Sequence, residues 1–239
     1  MRNLVQWLID DLRTASHNPR FFMIGIPPLL LFTTIQISLS LSKGIGFDFS
    51  PYKDFVFVLS MLFVPQLIGT GMGLFMLKEQ NKIGTSYIYM NQKRRLSYIV
   101  SGLIMSAVLT FLIAPLFLAS SAISMQQIEN LAVLILLIAE APIYVLLFFS
   151  FNVKQIKMKA IVLRSIGFIC LGATGAYLIP EPWQWLTGLA PTYWPSRVYL
   201  NGFVYGYNLE MTFWLYIMGL LIHVFIFIGL FVRCAHSLK

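Results

Sequence analysis

Between Arg95 and Glu129 the chain reads LSYIVSGLIMSAVLTFLIAPLFLASSAISMQQI, residues 96–128, thirty-three positions without a charged side chain. A helix crosses the apolar slab of a bilayer in about 20 such residues, so this stretch is long enough to span it. Uncharged stretches of 22, 23 and 22 residues follow the same pattern at 21–42, 55–77 and 211–232. Two further runs carry one ionisable group each: 131–153 holds Glu140, and 160–180 holds Arg164 near one end, where its stem can reach the headgroups. The spans are therefore expected at about 21–42, 55–77, 96–123, 131–153, 160–180 and 211–232.

Composition excludes a water-soluble fold. Of 239 residues 58% are hydrophobic and 11% charged, against roughly 25% charged in soluble domains. Runs such as Leu29-Leu30-Leu31-Phe32 are apolar at every position, whereas barrel strands alternate, so the spans are read as helices. The expected fold is an all-α membrane protein of six transmembrane helices in a single transmembrane domain, 1–239, with no internal repeat.

Six spans put both termini on one face. With the termini inside, that face holds Arg2, Arg13, Arg20, Lys78, Lys82, Lys93, Arg94, Arg95, Lys154, Lys157, Lys159, Arg164, Arg233 and Lys239, and the other keeps Lys43, Lys53 and Arg197. Fourteen cations against three set the termini in the cytoplasm. The net charge of +8 is thus a matter of topology, and no basic face for nucleic acid is expected. Cys170 and Cys234 suggest no disulfide, and His17, His223 and His236 have no partners at ligand spacing, so no metal site is expected.

Residues 1–18 lack the pattern of a cleaved signal peptide. Leu4, Val5, Leu8, Ile9 and Leu12 recur at helical spacing opposite Arg2, Asn3, Gln6, Asp10 and Arg13, with Trp7 at the border. An amphipathic interfacial helix is expected there, and Asn18-Pro19 is expected to cap the first span. Pro27-Pro28, Pro65 and Pro115 are read as kinks. Gly69 and Gly73, four apart, suit close packing of helices.

Two connections stand apart from ordinary loops. On the inner side, Lys78-Glu79-Gln80-Asn81-Lys82-Ile83-Gly84-Thr85 leads through Ser86-Tyr87-Ile88-Tyr89-Met90 to Lys93-Arg94-Arg95. Polar ends around an apolar centre indicate a short helix packed on the membrane surface or on a partner. On the outer side, 181–197 contains Trp183, Trp185 and Trp194 within twelve residues, broken by Pro191 and Pro195. Indoles favour the headgroup level, so this segment is expected to lie along or dip into the outer leaflet. It forms either an outer gate (Trp183, Trp185, Leu186, Leu189, Tyr193, Trp194) or an aromatic anchor. Glu140 is the acidic residue well inside a span, and Pro142 loosens the backbone beside it. A buried carboxyl there lines a translocation path, contacts a cationic substrate, or as a neutral acid bonds a neighbouring helix.

An acidic residue, Gly84-Thr85, a short mixed helix and a basic run into the third span resemble the inner connection of type-2 ABC exporter permeases. The amino-terminal helix and long outer segment are similar as well; the proline that often follows the short helix is replaced here by Asn91 and Gln92. The resemblance implies a short cytoplasmic coupling helix, a re-entrant element before the last span, and a plasma (inner) membrane location, in a bacterium. It also implies a second permease subunit, identical or related, and a separate cytoplasmic ATPase. The chain has no G-x-x-x-x-G-K-[ST] stretch. It is therefore read as no enzyme and as binding no cofactor itself, with ATP and Mg expected in the ATPase. Lys78, Glu79, Lys82, Gly84, Thr85, Tyr87, Ile88, Tyr89 and Arg94 are then the expected ATPase contacts. Glu140 and Pro142 are expected in the path of an amphipathic or hydrophobic cargo such as a peptide, drug or lipid. Competing readings are a non-transporting immunity or scaffold protein and a proton-coupled transporter using Glu140.

Overall fold

The computed structural model describes residues 19–45, 53–83, 92–120, 127–150, 183–204 and 209–237, together with Gln6, Ile9, Asp10, Arg13, Thr14 and His17, each of these six in helical conformation. The expected fifth span, 160–180, lies outside the described residues, as does most of the interfacial helix. Among the described residues every element is helical: α1 Pro19–Phe22, α2 Ile26–Ile45, α3 Lys53–Ile83, α4 Gln92–Ser120, α5 Gln127–Ser150, a 3-10 helix Trp183–Leu189, α6 Tyr193–Val204 and α7 Leu209–Ser237. Four stretches are long and apolar enough to cross a membrane: Leu59–Glu79, Arg94–Ser120, Asn130–Ser150 and Phe213–Ala235. A shorter apolar stretch, Ile26–Leu41, lies in α2.

The start of the first span differs from expectation. Pro19 opens the four-residue α1, a turn follows at Met23–Gly25, and the long helix begins at Ile26. Pro27 and Pro28 therefore stand in the first turn of α2, where a missing N–H breaks no helical bond, and they start the helix instead of kinking it. Pro65, Pro115 and Pro142 do lie inside helices. Each removes the donor to the carbonyl four residues back.

The core is built around α5, which packs against α3, α4, α6 and α7. In α5 67% of the most apolar stretch is buried, against 17% in α7, which leaves Phe213, Trp214, Leu221, Phe225 and Ile228 exposed on its outer side. Since lipid is as apolar as leucine, close packing and hydrogen bonds must hold such helices together. Small residues supply the packing. A Cβ on Gly69 would overlap the Ala141 carbonyl oxygen and come within 2.6 Å of the Tyr144 Cβ, and one on Gly73 would reach within 2.6 Å of the Phe148 ring. The contacts advance together along both chains, so α3 and α5 run in the same direction. Gly102 of α4 leaves room for Met76 of α3, whose carbonyl also accepts a 3.2 Å hydrogen bond from the Tyr98 hydroxyl. Ring contact between Phe32 and Phe117, at 5.1 Å, seats α2 on α4.

Buried hydroxyls on α4 are satisfied within their own helix: Ser106 donates to the Leu103 carbonyl at 2.8 Å and Thr110 to that of Ser106 at 2.9 Å. They are structural groups.

Candidate functional site: a re-entrant hairpin above a buried polar level

The outer segment folds into the bundle. Its 3-10 helix, Trp183–Leu189, repeats every three residues, so Trp183, Leu186 and Leu189 share one exposed face, with Leu189 76% exposed. Gln184 and Gly188 are buried. After the turn at Ala190–Thr192, α6 carries Tyr193, Trp194, Ser196, Arg197, Val198 and Tyr199 into the interior. The Trp194 indole N–H donates to the Gly188 carbonyl at 2.7 Å, tying α6 to the 3-10 helix. A Cβ on Gly219 would lie 2.8 Å from the Trp194 Cβ and 3.3 Å from Leu136.

This contact fixes depth and direction. Trp194 is ten residues before the end of α6, and Gly219 ten residues after the start of α7. The two helices therefore pair antiparallel as a hairpin, with Trp194 at its inner tip. Gly219 is six residues beyond the start of the apolar stretch at Phe213, about 9 Å into it at 1.5 Å per residue. Tyr193 and Trp194 are consequently interior side chains, buried at the level of Gly219. The six expected gate residues divide: Trp183, Leu186 and Leu189 are exposed, Tyr193 and Trp194 are buried, and Trp185 belongs to the 3-10 helix.

Arg197, counted from the sequence among the loop cations, is 2% exposed. Its guanidinium donates to the Gln184 side-chain oxygen, also buried. Arg197 follows Trp194 by three residues, on the same helical face.

Glu140 is fully buried in α5. It stands midway in the i, i+4 row Leu136, Glu140, Tyr144, of which Leu136 meets Gly219 of α7 and Tyr144 meets Gly69 of α3. Glu140 is thereby directed between α3 and α7. Tyr144 is the polar neighbour of its carboxyl. At hydrogen-bonding geometry neither carboxyl oxygen has a partner among the described residues. Pro142 is buried beside it. His223 of α7 is 1% exposed, with Nδ1 2.7 Å from the Gly219 carbonyl. A carbonyl only accepts, so Nδ1 carries the hydrogen.

Of the expected ATPase contacts, Lys78 is exposed and Glu79 and Arg94 are half-buried. α3 continues as helix to Ile83, so Lys78, Glu79 and Lys82 occupy a helix end and not a loop. Gly84, Thr85, Tyr87, Ile88 and Tyr89 lie outside the described residues. The Tyr98–Met76 bond, which no sequence pattern announced, clamps the α3–α4 stem two residues before Lys78. Among the described residues no cluster of metal-ligating side chains occurs.

Four helices long and apolar enough to cross a membrane, with α6 packed against α5 and α7, mark a helical membrane protein. Residues 11–232 match the family described as "Fluoroquinolones export permease protein Rv2686c-like", and the chain belongs to that family. No curated protein matches it.

Proposed function

We propose that the chain is the permease subunit of an ATP-driven exporter of the type-2 ABC class. A second permease subunit completes its path, and a cytoplasmic ATPase, which holds ATP and Mg, drives it. The observation that carries this reading is the family match over 222 residues, to proteins described as export permeases. It is supported by the absence of a phosphate-cradling G-x-x-x-x-G-K-[ST] loop, which leaves this polypeptide to draw ATP energy from elsewhere.

The α3–α4 stem is suited to receive that energy. Its two helices are pinned by Tyr98 on the Met76 carbonyl and by Met76 in the space at Gly102. A push on residues 78–95 then moves both helices as one body. Lys78, Glu79, Lys82 and Arg94 make the ionic contacts with the ATPase, and Tyr87, Ile88 and Tyr89 its apolar ones. The preponderance of cations on the termini's side supports cytoplasmic termini in a plasma-membrane protein. The cargo is an amphipathic or hydrophobic compound; the family's description makes fluoroquinolones the first to test.

The test is co-expression with a candidate ATPase. Co-purification and cargo-stimulated ATP hydrolysis in liposomes are expected, and reversing both charges, Glu79→Lys with Lys82→Glu, is expected to abolish the stimulation while hydrolysis by the ATPase persists. A permease that moves cargo without any ATPase overturns the reading.

A further inference from the structure

Three buried polar side chains share one level beneath the tip of the re-entrant hairpin. Among the basic residues of the described helices, Lys78 and Lys82 near the end of α3, Lys93, Arg94 and Arg95 at the start of α4 and Arg233 near the end of α7 outnumber Lys43 near the end of α2, Lys53 at the start of α3 and Arg197 in α6, which puts the ends of α3 and α7 on one face. Since α5 runs with α3, it also runs with α7. From the Leu136–Gly219 contact, one turn on along both parallel helices brings Glu140 level with His223. From the Tyr144–Gly69 contact, one turn back along α5 and α3 brings Glu140 level with Pro65 and Gln66. Gln66 lies three and seven residues before Gly69 and Gly73, on the α3 stripe that faces α5. Glu140 and His223 each stand ten residues into their spans, Asn130–Ser150 and Phe213–Ala235, about 15 Å deep and near the midplane of a ~30 Å slab.

Acceptors outnumber donors at this level, where the Tyr144 hydroxyl is the donor beside the Glu140 carboxyl. Both Glu140 carboxyl oxygens, the Gln66 Oε1 and the His223 Nε2 are buried without a hydrogen-bond partner among the described residues. With Nδ1–H turned to the Gly219 carbonyl, the Nε2 of the neutral ring is an acceptor. Unmet buried acceptors are costly, and more so in lipid, where water does not compensate them. A ligand rich in N–H donors and carrying positive charge matches all of them at once.

We propose that Gln66, Glu140 and His223 form a mid-membrane site for the protonated amine of an amphiphile, with Glu140 as counter-charge, Gln66 and His223 as flanking acceptors, and the Trp194 tip as its outer cover. This rests on the permease reading and adds the part of the cargo that the path recognises. Its test uses the full chain in lipid nanodiscs without nucleotide or ATPase, with radiolabelled dodecylamine as probe and empty nanodiscs subtracted. Saturable binding is expected, displaced by unlabelled dodecylamine and not by dodecanol or dodecanoate. Glu140→Gln is expected to weaken it about tenfold and His223→Leu several-fold, as for loss of a charge-assisted and a neutral hydrogen bond. Equal competition by dodecanol or dodecanoate with the unaltered protein overturns the proposal and depends on no variant's folding. Wild-type affinity in both variants overturns it as well. Amine binding without any ATPase association would sink the permease reading and leave this site standing; ATPase association without amine binding would do the reverse.

Discussion

Trp194 rests on Gly219 with so little clearance that a methyl group at 219 would lie 2.8 Å from the Trp194 Cβ and 3.2 Å from its Cγ. These are atoms at the base of the side chain, which cannot swing away as a flexible tip can. Gly219→Ala therefore has to displace the α6 helix from α7. Overpacking of this kind costs about 1–3 kcal/mol, and Gly219→Leu is expected to cost more. Thermal unfolding in detergent should fall for both variants in that order, with the indole of Trp194 shifting its emission toward that of a wetter environment. An unchanged Gly219→Leu protein would mean that the hairpin is not seated as described.

Arg197 and Gln184 hold α6 and the 3-10 helix together from inside. Both are buried, and the guanidinium donates to the amide oxygen across thirteen residues of chain. Gln184→Leu keeps the volume and removes the acceptor from a buried cation, at an expected cost of about 1–3 kcal/mol. Arg197→Met with Gln184→Leu removes both partners, and the double variant is expected to lose less stability than the two single losses added. Strict additivity in this cycle would show that the bond contributes nothing of its own.

Glycines in this bundle differ in what stands over them, which orders their substitutions. At Gly69 the obstacle is the Ala141 backbone carbonyl, at Gly73 the Phe148 ring, and at Gly229 nothing lies within 4 Å. The outer Phe148 ring atoms can turn aside although its Cβ, 2.9 Å away, cannot, whereas at Gly69 helix backbone itself stands in the way and yields only by separating α3 from α5. Gly69→Ala is expected to be the most destabilising, Gly73→Ala intermediate, and Gly229→Ala neutral or slightly stabilising, because alanine favours helix by up to about 1 kcal/mol. Denaturation of the three variants in one detergent checks the order, and Gly73→Ala falling below Gly69→Ala would contradict it.

Glycine spacing also shows how far sequence reading reaches. The four-residue interval between Gly69 and Gly73 announced a close helix contact, and α3 makes it on α5. Long uncharged runs announced three of the four spans, and the run interrupted only by Glu140 the other, because the bilayer sets one length for all of them; the uncharged run 21–42 holds only the shorter apolar stretch Ile26–Leu41. Glu140 was legible as well, since a lone carboxyl in an apolar run is conspicuous. Its level partners were not: Gln66 and His223 look like ordinary span residues until the registers of three helices are known. The depth of Trp194 was only partly legible. Three indoles and two prolines allowed the segment to lie along the leaflet or to dip into it, and what decides between them is the pairing of α6 with α7, a tertiary relation with no local signature. Arg197 was misplaced for the same reason, because a cation between spans reads as a loop charge unless a buried acceptor such as Gln184 is known to receive it.

Cysteine labelling separates a moving gate from a fixed anchor, provided that the right positions are chosen. Leu186 and Leu189 are 66% and 76% exposed, so cysteines there are expected to react with a small thiol reagent whether or not nucleotide is hydrolysed. Ser196 is fully buried in α6, its hydroxyl bonded to the Tyr193 carbonyl at 2.7 Å. A cysteine replaces that hydroxyl at little cost in volume and is shielded in the described conformation. If the hairpin opens to release cargo outward, Ser196→Cys should become reactive during ATP turnover with the partner ATPase and remain unreactive without ATP. The rate of modification reads the fraction of time the hairpin spends open, since the thiol is reached only in that state. Protection of Ser196→Cys through many turnovers, with Leu189→Cys labelled throughout, would assign the hairpin to a static plug and require cargo to leave by another face of the bundle.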